Sequence, residues 1–124
     1  MEVGQFATHM TTPKDAQRIF RTGRLKPSKS GWWGPGLYAY LPGAKRTEGK
    51  GDIPIYFDYS GLKITDGGKP EELSQAEWDR IRAKDSRVYN KMLERLGYDA
   101  QMDHKWIRVL PHALSKVTPI QSQQ

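Results

Sequence analysis

The chain contains no cysteine. Disulfide scaffolds and thiolate metal centres are thereby excluded, and cysteine usage leaves the redox compartment undetermined. Acidic residues are also scarce, 14 against 20 Lys and Arg, giving a formal charge of +6 and a pI near 9.6. A balance of that sign suits acidic partners: nucleic acid, an anionic cofactor or an acidic protein face. The bases are dispersed, with no run of five, so a solvated basic surface is the default. No apolar stretch approaches the ~18 residues of a membrane span, and no signal peptide opens the chain, so a soluble protein without a membrane partner is expected. His9, His104 and His112 lack ligand-like spacing, and no metal is expected. With mean hydropathy −0.78, the 124 residues suffice for one domain with a modest core. That domain is expected over 1–118, with a frayed tail over 119–124.

What is present centres on residues 31–41, where three glycines and Pro35 lead into Leu37, Tyr38, Ala39, Tyr40 and Leu41. Their alternation predicts a strand with both tyrosines on one face and Leu37, Ala39 and Leu41 on the other. An aromatic-rich loop leading into such a strand can shape a pocket for something flat. Buried tyrosines more often only pack, and a short glycine motif is weak by itself.

Upstream, residues 3–10 predict a first strand ending at His9. Thr12, Pro13 and Asp15 predict a helix start, with Gly23 just past its end. Downstream, residues 42–51 read as a polar loop, 53–59 and 62–66 as strands. A helical stretch runs from Pro70 to Leu96, broken near Lys84, Asp85 and Ser86. Residues 98–102 and 105–110 read as paired strands about Asp103 and His104, followed by a helical turn from Pro111 to Val117. Strands and helices interleave without βαβ regularity, which points to an α+β fold with largely antiparallel strands.

The order of these pieces carries a resemblance. A strand ends in His9, Met10 and Thr11; a short helix leads to Gly23–Ser28; then come Gly34, Pro35, Gly36, Leu37 and Tyr38, and the strand Ile55–Tyr59. This resembles the ADP-ribosyltransferase superfamily, and within it the small His-Tyr-Asp class of bacterial polymorphic toxin domains. The likeness covers residues 7–66, and more loosely continues through Tyr98, Asp99 and the strand at Trp106.

The resemblance implies a split antiparallel sheet with flanking helices around a cleft for NAD, which is substrate as well as cofactor. His9 would hold the ribose, the backbone at Met10 and Thr11 the nicotinamide amide, and Tyr38 would stack on the ring. Tyr40 would support it, and Gly34 and Gly36 would let the main chain approach. An oxocarbenium-like cation forms when the ribose–nicotinamide bond breaks, and a carboxylate stabilises it. Lys105 stands where many members carry glutamate, so the implied acid is an aspartate: Asp66 first, with Asp58, Asp99 and Asp103 as alternatives. The implied activity is ADP-ribosyl transfer to a macromolecular acceptor, protein or nucleic acid, as a toxin or effector delivered into a target cell and countered by an immunity protein. Two alternatives remain: an NAD glycohydrolase, and a non-catalytic module binding protein or nucleic acid, with Trp32, Trp33 and Tyr40 as stacking surfaces.

Overall fold

The computed structural model describes residues 5–28, 34–42, 53–66 and 68–120. Strand β1 (Phe6–Thr11) starts later than expected and carries His9 within it rather than at its end. Thr12 turns the chain: its hydroxyl accepts the Asp15 N–H at 3.2 Å, and Pro13 opens helix α1 (Pro13–Thr22). Gly23 closes that helix at φ 72°, donating to the Ile19 carbonyl at 2.7 Å.

Two short strands and a long one follow the glycine stretch: β2 (Leu37–Tyr40), β3 (Ile53–Asp58) and β4 (Ile64–Thr65). The helix expected from Pro70 begins instead at Gln75. Ser74 and Glu77 form a reciprocal capping box there, Glu77 N–H to the Ser74 hydroxyl at 3.2 Å and Ser74 N–H to the Glu77 carboxylate at 3.1 Å. The break falls where expected. Helix α2 (Gln75–Arg82) stops, and Asp85 caps α3 (Ser86–Arg95) by accepting the Arg87 N–H at 3.0 Å. Strands β5 (Ala100–Met102) and β6 (Trp106–Val109) form the hairpin about Asp103, and a 3-10 helix (Pro111–Lys116) follows. The frayed tail expected from residue 119 is corrected at its start. Pro119–Ile120 forms β7 and pairs with Phe57 and Tyr56 of β3; residues 121–124 lie outside the described residues.

The fold is α+β, with one seven-stranded sheet in the order β4-β5-β6-β2-β1-β3-β7. Neighbours are antiparallel except β4 and β5. Cross-strand partners share a face. One face therefore carries Ala7, Leu37, Ala39, Ile55, Phe57, Ile107 and Val109, all buried, packed with Ala16 and Ile19 of α1 and Ala113 of the 3-10 helix. On the opposite face, a second cluster gathers Met92, Leu93, Tyr98 and Leu110, with Trp78 and Tyr89 against it.

The sheet runs continuously through all seven strands rather than splitting in two, and the join with the fewest cross-strand pairs is a seam between β1 and β2. Six cross-strand pairs join β1 to β3, and four join β2 to β6. Among the described residues β1 and β2 share a single pair, Thr8 with Tyr40. Both strands pair fully along their other edges, β1 with β3 and β2 with β6.

Candidate functional site

His9 stands beside the Thr8–Tyr40 pair. Its Nδ1 lies 2.9 Å from the Tyr38 carbonyl oxygen, so a side chain bridges the strands where main-chain pairing has stopped. A carbonyl can only accept, so Nδ1 carries the proton. Burial draws the imidazole below its ordinary pKa, against the opposing pulls of the Tyr38 hydrogen bond and of Asp15. At neutral pH the ring is thus uncharged, with Nε2 as its acceptor, suited to a ribose hydroxyl.

The Tyr38 side chain is on the other face. Register places it opposite Arg108, whereas His9 lies opposite Ile55 on the core face. The structure therefore joins the His9 ring to the Tyr38 backbone, not to its phenol. Met10, half-buried, shares the phenol's face across the seam. The sheet thus stands between the His9 ring on one face and Met10 and the Tyr38 phenol on the other.

The phenol is fixed. Its hydroxyl donates to the Gly34 carbonyl at 2.6 Å and is also hydrogen-bonded by the Arg108 side chain. Arg108 is the residue that reading the sequence missed. Its side chain is completely buried, with Nη1 donating to the Pro35 carbonyl at 3.2 Å and Nη2 to Asn90 Oδ1 at 2.8 Å and Gln101 Oε1 at 2.9 Å. Burial draws its pKa down, and the phenols of Tyr38 and Tyr89 oppose that. The signal was available: an arginine amid Trp106, Ile107, Val109 and Leu110, at the alternate position facing Tyr38.

Two expected roles change. Gly36 was assigned to close approach of a cofactor, but the group that approaches is Arg108: an added Cβ would lie 2.6 Å from its Cγ and 2.8 Å from the Val109 carbonyl. Tyr40 is buried, its ring 4.3 Å from that of Trp106, so it packs rather than presenting a face to a ligand. Trp32 and Trp33 lie outside the described residues, and the nucleic-acid reading keeps no stacking residue among those described. Thr11 is buried at the end of β1.

None of the four aspartates is brought to the seam. Asp66 is exposed at the end of β4, its Oδ1 accepting the Gly68 N–H at 2.9 Å. Two strands lie between β4 and β2, about 14 Å at ordinary strand spacing. Asp58 accepts from Ser60 N–H at 2.8 Å; that bond holds its pKa below the usual range. Burial would raise Asp99, yet the Lys63 N–H and Lys116, each at 2.9 Å, hold it low. Asp103 likewise resists burial by accepting the Lys105 and Trp106 N–H groups at 2.8 Å. These are turn and packing roles. The carboxylate that acts on His9 is Asp15, in the first turn of α1, a residue assigned from sequence only to the helix start.

A groove of about 480 Å³ lies elsewhere, between α3, Pro35 and Pro111, and among the described residues Pro35 is its contact with the glycine loop. Among the described residues no three His, Asp or Glu side chains gather as metal ligands, and no helix is long and apolar enough to cross a membrane. No protein-family model matches the chain, and no curated protein or solved structure matches it significantly.

Proposed function

We propose that this chain binds NAD at the seam between β1 and β2 and cleaves its ribose–nicotinamide bond, as an ADP-ribosyltransferase-like domain. The observation that carries the reading is the His9–Tyr38 bridge. It holds a neutral imidazole acceptor at the β1–β2 join, with the Tyr38 phenol pinned on the opposite face of the sheet. In this reading Nε2 of His9 accepts a ribose hydroxyl, backbone at Met10 and Thr11 meets the nicotinamide amide, and the ring lies over Tyr38. The acceptor is a macromolecule or water, and use as a delivered toxin with a neutralising partner belongs to the same reading. The direct test is free nicotinamide after incubation with NAD. His9→Ala and Tyr38→Ala should each abolish release with the far-UV spectrum unchanged; release that persists in both variants would refute the assignment.

One observation favours a second reading. All four candidate aspartates hold backbone N–H groups away from the seam, so a carboxylate for the ribosyl cation is not in place there. A domain that binds the dinucleotide without cleaving it has that character. Calorimetric titration separates the two: affinity for NAD without nicotinamide release establishes the binding module.

A further inference from the structure

We propose that Arg108 is a positioning residue: a buried cation around which the glycine loop is moulded, and through which α3 sets the orientation of the Tyr38 ring. Its ligand rests on the NAD reading above; its geometry does not. Three contacts converge. The guanidinium holds the Pro35 carbonyl at 3.2 Å, and it bonds the Tyr38 hydroxyl, which in turn donates to Gly34 at 2.6 Å. Gly36 lies flat on the arginine stem, leaving no space for a Cβ. Residues 34, 35, 36 and 38 are thus all fixed by one side chain coming from β6.

The far side of the same guanidinium is held from outside the loop. Asn90 of α3 takes Nη2 at 2.8 Å, and Gln101 of β5 takes it at 2.9 Å. Asn90 therefore touches Arg108, Arg108 touches the phenol, and the chain of contacts is short and continuous. A planar fork with five donors can serve these acceptors together, which a lysine ammonium on a flexible stem cannot. Exchange of Asn90 removes one anchor without entering the seam.

The experiment uses protein labelled with ¹³C at the tyrosine ζ carbon, whose resonance reports on hydrogen bonding at the hydroxyl. The Tyr38 signal is assigned by its disappearance in Tyr38→Phe. In ligand-free protein the signal should move in Asn90→Ala and in Arg108→Lys, and stay in place in Lys91→Ala, the neighbouring exchange on the same helix. NAD affinity should fall roughly tenfold in Asn90→Ala, and by no more in Asn90→Ala/Tyr38→Phe than in Tyr38→Phe alone, as coupled neighbours behave. An unmoved signal in Asn90→Ala overturns the positioning role, whether or not Arg108→Lys folds. A moved signal with unchanged NAD affinity, or additive losses in the double variant, overturns its bearing on the site. A moved signal in Asn90→Ala, together with a wild-type protein that does not bind NAD, supports the positioning role and overturns the NAD reading alone.

Discussion

A methyl group added at Gly36 would lie within 2.9 Å of two arginine carbons and a backbone oxygen, on a chain at φ 154°. Gly36→Ala should lower stability by about 1–3 kcal/mol, the usual cost of overpacking, read from the urea midpoint. Gly23 provides the contrast, since nothing stands within 4 Å of its Cβ position and only its left-handed backbone resists exchange. Gly23→Ala should cost about 1–2 kcal/mol. His9 yields a pH prediction. Its folded pKa is depressed below the unfolded value of 6.5, so the unfolded chain binds the proton more readily. Its contribution to stability is full above pH 6.5 and is lost as pH falls from there through the folded pKa. Thermal midpoints at pH 7.5 and 5.5 should differ in the wild type, and differ less in His9→Gln. The depressed aspartates Asp58, Asp85, Asp99 and Asp103 act in a lower window, below the ordinary aspartate value of 3.8.

Helices α2 and α3 are both capped by side chains but differ in what they bury. Helix α2 has no buried residue, whereas α3 contributes Met92 and Leu93 to the second cluster. Ser74→Ala and Asp85→Ala each remove a cap worth about 1 kcal/mol. The first loss should show as faster amide exchange confined to α2, the second as a lower global melting midpoint. What the sequence disclosed at this scale was local. Thr12, Pro13 and Gly23 mark α1 because capping acts within a turn of the chain, and Asp85 marks α3 for the same reason. The Ser74–Glu77 box was equally visible, but Pro70 and the acids after it offered a competing start. Strand β7 was passed over because two residues carry no period, and only pairing with Tyr56 and Phe57 makes them a strand. Of the candidate site, the neighbourhood of β1 and β2 was legible and the facing of its side chains was not. The His9 ring meets only the Tyr38 backbone, and alternation along β1 and β2 could not show that the two side chains leave on opposite faces. That follows from the Thr8–Tyr40 register, a contact across 32 positions. Asp66 was misplaced for a like reason: the parallel pairing of β4 with β5 carries it to the sheet's far edge.

For the molecule as a whole, ligand binding and stability are linked. Anything that binds the native state alone raises its stability, by about 2.7 kcal/mol at a concentration of 100 Kd. On the NAD reading, NAD should raise the melting midpoint of the wild type and leave that of His9→Ala unchanged; equal shifts would mean that the dinucleotide sits elsewhere. The seam gives this linkage a location. Load placed across the strands is not shared evenly, since the pairing of β1 with β2 is confined to Thr8 and Tyr40, supplemented by the His9–Tyr38 bond. Under tension the protein tears along that line first, and a guest lodged there acts as a suture.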